Sequence, residues 1–159
     1  MVGTMKKTQA RKTDTDKISN ADGAIENFKA VCRRAGLRVT LQRVAVYEHI
    51  LGSKEHPSAT MVFEQVRKKY PEVSLDTVNR TLATITELGL ANMVPGDGRA
   101  KRFDADVAHH QHFCCVRCGK IYDFECAEFE NMKLPRHIRE KFKVLTKTVF
   151  VQGICDKCR

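Results

Sequence analysis

The sequence lacks the features that would direct a protein into or across a membrane. It contains no tryptophan, and none of its apolar runs approaches the length of about 20 residues that a membrane-spanning helix needs. The basic segment over residues 1–17 has no apolar centre, so it does not match a secretory signal peptide. We therefore predict no membrane partner. We expect residues 1–23 to form a basic, disordered arm, with a minor DNA contact as its alternative role.

Acidic residues are also scarce. The chain has 19 aspartates and glutamates against 28 lysines and arginines, which gives a formal net charge of +9. Such a charge favours a polyanionic partner, although basic proteins also bind acidic proteins and membrane surfaces. Seven cysteines without an export signal indicate the reducing cytoplasm. In that compartment, paired cysteines more often serve metal or redox chemistry than disulfides.

Four segments in the first half of the chain have apolar residues at helical spacing. Glycine or proline ends each segment, and threonine or serine precedes three of them as a predicted N-cap. The predicted helices run from about Ala24 to Ala35, from Thr40 to Gly52, from Ser58 to Pro71, and from Ser74 to Gly89.

The fourth predicted helix has a polar side that suits DNA. Thr77, Asn79 and Arg80 lie opposite its apolar residues, as on a helix that reads base edges in the major groove, although a plain solvated face has the same pattern. A hairpin pattern follows, and its basic residues Arg99, Lys101 and Arg102 would lie along phosphates. Helices followed by a basic hairpin indicate a winged-helix DNA-binding domain.

The pattern changes after this hairpin. Two strands are predicted over residues 109–115 and 120–125, followed by a helix from Glu128 to Lys141 and a strand from Lys143 to Gly153. The predicted fold class is therefore α+β. It comprises an N-terminal winged-helix domain over residues 24–104 and a small α/β domain over residues 105–159.

Two Cys-x-x-Cys pairs carry the strongest chemical signal. Four thiolates suit one tetrahedral zinc ion and leave no open position, so the predicted role is structural. The alternatives are a rubredoxin-like iron centre and a dithiol redox pair, but no thioredoxin-like βαβ context accompanies them. The four predicted zinc ligands are Cys115, Cys118, Cys155 and Cys158. Cys32 and Cys114 are interpreted as small core residues.

A second ligand group lies just before the first pair. His110 and His112 are two residues apart, so in a strand they point to the same face, and Asp104 is slightly upstream. Nitrogen and oxygen ligands favour divalent metals of borderline or hard character.

Motifs throughout residues 36–158 resemble those of the ferric uptake regulator family. They are G-L-R-V-T-L-Q-R (36–43), H-P-S-A (56–59), S-L-D-T-V-N-R-T-L (74–82), L-G-L-A (88–91), R-F-D (102–104), H-H-Q-H-F-C-C-V-R-C-G-K-I-Y-D-F (109–124) and G-I-C-D-K-C (153–158). The resemblance implies a homodimeric winged-helix repressor whose second domain provides the dimer contact. It would bind a pseudo-palindromic operator on double-stranded DNA when it holds a divalent metal.

The resemblance also implies a regulatory metal site that joins the two halves of the chain. Three imidazoles and two carboxylates would hold Fe²⁺ or Mn²⁺. The implied ligands are His56, Asp104, His110, His112 and Asp123. An ion there would favour one arrangement of the DNA-binding half, because it binds that arrangement better than the other.

Two aspartates among these ligands point to a particular branch of the family. The positions of Asp104 and Asp123 are typically glutamate in iron-sensing members and aspartate in peroxide-sensing members. A peroxide sensor would carry Fe²⁺, and reaction with peroxide would oxidise His56 or His110 and release DNA. Iron-responsive control is the alternative.

Other departures and alternatives bear on this interpretation. Gln111 and Lys147 stand where an additional metal site of iron-sensing members needs an acid and a histidine, which favours the peroxide branch. A zinc-uptake regulator is disfavoured because no cysteine shortly precedes the histidine pair. Asn79 replaces the usual tyrosine of the recognition helix, so the operator sequence stays open. A mononuclear metal enzyme is disfavoured because five ligands leave little room for a substrate.

Overall fold

A computed structural model describes residues 14–96, 98 and 100–159. The chain divides into two compact units between Val39 and Thr40. In the first unit, helix α1 spans Asp14–Arg34. It ends in a Schellman motif, in which Gly36 adopts a left-handed φ of 70° and the amide of Leu37 donates to the carbonyl of Cys32 at 2.9 Å. Cys32 is buried, as expected of a small core residue.

The start of α1 corrects one expectation. Residues 14–23 were predicted to belong to a disordered arm, but they form the first turns of the helix. No proline interrupts this segment, and a single glycine, Gly23, lowers helix stability by only about 1 kcal/mol. The rest of the predicted arm, residues 1–13, lies outside the described residues.

The second unit opens with three helices that begin where the sequence predicts. They are α2 (Leu41–Leu51), α3 (Ala59–Lys69) and α4 (Leu75–Glu87). In each, the side chain of the N-cap residue accepts a hydrogen bond from the amide three residues later, which satisfies a donor that the helix leaves unpaired. The caps are Thr40, Ser58 and Ser74.

Two small sheets follow the helices. Strands β1 (Asn92–Val94) and β2 (Arg102–Asp104) form the predicted antiparallel hairpin. The second sheet has the order β4-β3-β5, with β3 over Gln111–Cys115, β4 over Ile121–Phe124 and β5 over Phe150–Gly153. Strand β3 pairs antiparallel with β4 and parallel with β5.

The hairpin and the second sheet share a buried apolar cluster. Val94 from β1 packs with Cys114 from β3 and Ile121 from β4, and Phe150 lies against them. This confirms the interpretation of Cys114 as a core residue. The mixed helix and sheet composition is also confirmed, whereas the domain boundary near residue 104 stays a prediction.

Two predictions after β4 were wrong. The helix predicted over Glu128–Lys141 is two short helices, α5 (Ala127–Glu130) and α6 (Arg136–Lys141). Pro135 lies between them, and it lacks an amide hydrogen and disfavours helical geometry in the preceding residue. The strand predicted over Lys143–Gly153 forms only over Phe150–Gly153, because β3 begins at Gln111 and offers no partner to most of the earlier residues.

A single 3₁₀ turn, Asp156–Cys158, lies near the end of the chain; it contains Cys158, and Cys155 is its N-cap. Among the described residues, no helix is both long and apolar enough to span a bilayer.

Candidate metal centres

The four cysteines of the two Cys-x-x-Cys pairs converge. Their sulfurs all lie within 4.8 Å of one another, and Cys118 Sγ is 3.9 Å from Cys155 Sγ. A tetrahedron with zinc–sulfur distances of about 2.3 Å places its sulfurs about 3.8 Å apart. The spacing of the sulfurs is therefore close to that of a tetrahedral zinc site.

Backbone amides prepare this cluster for thiolates. The amides of Cys118 and Cys155 lower the pKa of the Cys115 thiol to about 6, and Cys155 N lies 3.4 Å from Cys115 Sγ. Hydrogen bonds with the Cys155 and Cys118 side chains favour the protonated Cys158 thiol and raise its pKa to about 12, and repulsion from the Cys115 thiolate acts in the same direction. A bound cation would relieve that repulsion.

The predicted nitrogen and oxygen ligands converge at a separate point. One donor atom from each of four residues lies within 4.8 Å of the others, and these residues are His56, Asp104, His110 and His112. Asp104 Oδ2 lies 2.9 Å from His110 Nε2, 3.3 Å from His112 Nε2 and 3.6 Å from His56 Nε2. Asp123 Oδ1 approaches the same imidazoles, with His56 Nε2 nearest at 2.9 Å.

Four separate pieces of backbone deliver these side chains. His112 lies in β3 directly across from Asp123 in β4, so the strand register sets that pair side by side. Asp104 is the last residue of β2. His56 comes from the loop between α2 and α3, where it adopts a left-handed φ of 49°. Such a conformation is strained for any residue but glycine and is typical of functional sites.

The polar environment prepares His110 and Asp104 to act as ligands. His110 Nδ1 lies 2.8 Å from the carbonyl of Ala108, which accepts only from a protonated nitrogen, so in the neutral ring Nε2 has the lone pair that a metal needs. Burial alone would raise the pKa of the Asp104 carboxyl, but its contacts with His112 and His56 hold that pKa well below its usual range. Asp104 is therefore an anion at neutral pH.

The buried His56 imidazole shows why this site fits a divalent ion. His56 is only 2% exposed. Neither of its ring nitrogens makes a well-formed hydrogen bond with the described residues, although Nε2 faces two carboxylates. A buried polar group without a partner calls for an ion or water. Three imidazoles and two carboxylates are the ligands that Fe²⁺ and Mn²⁺ accept.

The predicted DNA-contacting residues lie on a different surface. Thr77, Asn79 and Arg80 are exposed on α4, and Arg80 Nε pairs with Asp76 Oδ2 at 2.9 Å. Asn79 and Arg80 share a cavity of about 480 Å³ with Lys101 of the hairpin, so helix and hairpin form one groove. Arg99 lies outside the described residues.

Gln111 and Lys147, the residues that depart from the family's additional metal site, bond to protein groups. The buried Gln111 accepts the amide of Cys126 at 2.8 Å, and Lys147 Nζ donates to the carbonyls of Glu130 and Met132 at 2.6 and 3.0 Å. His109 Nδ1 lies 3.6 Å from Glu130 Oε1. In the part of the chain that the structure describes, metal-ligating side chains gather in groups of three or more at the two centres above and nowhere else.

Sequence reasoning placed Asp76 on the polar side of α4 and Arg102 in the basic hairpin, but it did not predict the contacts that these two residues make. Asp76 pairs with Arg80 across one turn of α4, and its spacing of four residues was the available signal. Arg102 donates to the carbonyls of Glu55 and His56. Its position two residues before Asp104 places both side chains on one face of β2, but the loop that it contacts is 46 residues away in sequence.

Comparison with known proteins agrees with this fold and these centres. The model of the ferric uptake regulator family matches residues 34–152. The peroxide-responsive repressor PerR of Staphylococcus epidermidis is 28% identical over 143 residues, which cover 89% of this chain and 95% of the relative.

Two solved structures share the architecture. The Helicobacter pylori ferric uptake regulator, described with three functional metal binding sites, aligns with a TM-score of 0.74 and 22% identity over 87% of this chain and 93% of that chain. At that identity the likeness concerns the fold. The Pseudomonas aeruginosa ferric uptake regulator with manganese gives a TM-score of 0.63 and 29% identity over 80% of this chain and 97% of that chain.

The fold and the two ligand clusters define a metal-responsive transcriptional regulator. The match over residues 34–152 shows more specifically that the chain belongs to the ferric uptake regulator family.

Proposed function

We propose that this chain is a peroxide-responsive repressor that binds a pseudo-palindromic operator as a homodimer. The observation that carries the proposal is the convergence of three imidazoles on Asp104 and Asp123. Both carboxylates are aspartates, as the peroxide-sensing interpretation expects, and the curated relative described above is a peroxide-responsive repressor. We place the protein in the cytoplasm, where its thiols stay reduced.

In this proposal, residues 24–104 form a winged-helix domain. Its recognition helix is α4, with Thr77, Asn79 and Arg80 on the exposed side, and its wing is the β1–β2 hairpin with Arg99 and Lys101. Support comes from the groove that Asn79, Arg80 and Lys101 line together. Two such domains would enter successive major grooves about 34 Å apart, as a dimer on a palindrome requires.

Residues 105–159 form the dimerisation domain in this proposal, and Cys115, Cys118, Cys155 and Cys158 hold a structural zinc ion. The thiolate cluster connects the end of β3 to the C-terminal turn. Four thiolates complete the coordination of zinc, so this ion would take no part in sensing.

The regulatory ion, Fe²⁺ or Mn²⁺, would be held by His56, Asp104, His110, His112 and Asp123. Bound Fe²⁺ would supply the redox chemistry that cleaves the oxygen–oxygen bond of peroxide. A ring carbon–hydrogen bond of His56 or His110 would take up one peroxide oxygen, and the other oxygen would leave as water. The oxidised ring would be a poorer ligand, so the metal would no longer stabilise the arrangement that binds the operator.

The test uses full-length protein loaded with Fe²⁺ without oxygen and then treated with micromolar peroxide. We expect a one-oxygen mass increase on the His56 or His110 peptide, together with loss of the gel shift on the promoter DNA. A sample loaded with Mn²⁺ controls for general oxidation, and it should keep both its mass and its gel shift. If DNA binding persists and neither peptide gains oxygen, the peroxide mechanism is refuted.

Iron-responsive repression is the second candidate, and the similarity to the Pseudomonas aeruginosa ferric uptake regulator favours it. The same experiment separates the two functions. An iron-responsive repressor would need Fe²⁺ or Mn²⁺ for its gel shift but would stay bound to DNA after brief peroxide treatment. A gel shift that is insensitive to added or removed metal would refute both.

A further inference from the structure

Arg102 connects the β1–β2 hairpin to the loop that carries His56. Its guanidinium donates from Nε to the carbonyl of His56 and from Nη2 to the carbonyl of Glu55 at 3.0 Å. Strand β2 holds the same loop through its backbone, because the amide of Phe103 donates to the carbonyl of Pro57 at 3.1 Å. One short strand therefore fixes three consecutive carbonyls of this loop.

The His56 loop needs such fixing. His56 has a left-handed φ of 49° and is followed by Pro57, which disfavours helical geometry before it and has no amide hydrogen to donate. A strained conformation persists only when its surroundings impose it. The carbonyls of Glu55 and His56 point to the guanidinium, and this orientation directs the His56 imidazole towards Asp104 and Asp123.

We propose that Arg102 is a positioning residue for the regulatory metal. It holds the backbone of His56 so that Nε2 lies 3.6 Å from Asp104 Oδ2 and 2.9 Å from Asp123 Oδ1. Arg102 and Asp104 alternate on β2, so one strand delivers a ligand and the group that orients another ligand. The inference rests on the proposed function, because it requires a metal at these residues.

The guanidinium suits this role better than an ammonium would. The carbonyls of two consecutive residues match Nε and Nη2, which the planar guanidinium holds at a fixed spacing. Lysine instead presents a single ammonium group on a flexible stem. Arg102 is also only partly exposed, and two of its nitrogens are bonded to protein. Lys101, its neighbour, is exposed and lines the groove beside α4. Contact with DNA phosphates therefore suits Lys101 better than Arg102.

The test measures Co²⁺ and Mn²⁺ binding to full-length protein that already holds its zinc. We expect Arg102→Gln to weaken binding about 10–100-fold, as loss of a group that orients a metal ligand typically does. The visible spectrum of bound Co²⁺ should change towards that of His56→Ala, and Arg102→Lys should restore part of the affinity. Arg139→Gln is the matched control, because Arg139 also donates Nε to a carbonyl, that of Leu134, outside both centres.

A double-mutant cycle distinguishes positioning from general destabilisation. In a His56→Ala background, Arg102→Gln should produce no further loss of Co²⁺ affinity, because no imidazole remains to be oriented. Equal losses in both backgrounds, or wild-type affinity and spectrum in Arg102→Gln and Arg102→Lys, would overturn the inference. If the zinc-loaded wild type bound no Co²⁺ or Mn²⁺, the proposed function itself would fail.

Discussion

Replacing Cys115 with serine tests how far the thiolate cluster supports the C-terminal part of the chain. Cys115 is fully buried at the end of β3, and its sulfur accepts the amide of Cys155. Serine removes the thiolate and leaves a harder, poorly ionised oxygen in its place. We expect the variant to lose its zinc.

The expected magnitude is large. Structural zinc sites contribute apparent binding free energies of about 10–16 kcal/mol at neutral pH, and a whole domain is stable by only about 5–15 kcal/mol. In this chain β5 pairs with β3, and the residues directly after β5 carry Cys155 and Cys158. Loss of the ion should therefore unfold the β4-β3-β5 sheet at room temperature. Helices α2, α3 and α4 should stay folded, because each has its own buried residues.

Zinc content by elemental analysis and thermal unfolding by circular dichroism provide the measurements. Cys126→Ser is the matched control, because Cys126 is half-buried and its sulfur donates to Glu128 outside the cluster. That variant should keep its zinc and its melting temperature. Full zinc content in Cys115→Ser would show that the four-thiolate assignment is wrong.

Three further predictions concern the regulatory site, the DNA-binding surface and a helix cap. Asp104→Ala should weaken Mn²⁺ binding more than Asp123→Ala, because Asp104 is 7% exposed and belongs to the tightest group of donors, whereas the Asp123 side chain is 48% exposed. Electron paramagnetic resonance titration would measure this, and the reverse order would contradict it. Arg80→Ala should weaken operator binding and reduce the salt dependence of that binding by about one phosphate contact, with Mn²⁺ affinity unchanged. If the gel shift of the variant matched that of the wild type at every salt concentration, Arg80 would not belong to the DNA interface. Ser74→Ala should lower the free energy of unfolding by about 1 kcal/mol, because the amide of Thr77 loses its acceptor, and urea unfolding that matches the wild type would refute this.

Much of the fold follows from local chemistry. Each N-cap predicted from a serine or threonine before an apolar periodic segment is observed, because the cap needs only the three residues that follow it. The thiolate cluster was predicted from spacing as well. Each Cys-x-x-Cys pair brings its own two sulfurs together, and a tetrahedral zinc ion needs two such pairs. Between α5 and α6, Pro135 breaks the helix that was predicted to continue through it.

Features that depend on distant contacts could not be predicted from residue patterns. The alternating residues before Phe150 match a strand, but a strand forms only where a neighbour can pair with it. His56 and Asp123 entered the candidate site only through family resemblance, because nothing adjacent to either residue marks it as a ligand. The left-handed conformation of His56 and its contact with Arg102 require the hairpin to be folded against the loop.

The hairpin strand β2 has a thermodynamic consequence under the proposed function. It ends in Asp104, a proposed metal ligand, and begins directly after Lys101, which lines the groove proposed to face DNA. If the ion raises operator affinity by some factor, the operator must raise affinity for the ion by the same factor, since linkage is reciprocal. A repressor already seated on its promoter would then hold its ion more tightly than the free protein. It would continue to repress that promoter at metal concentrations at which repressor molecules free of DNA hold no regulatory ion.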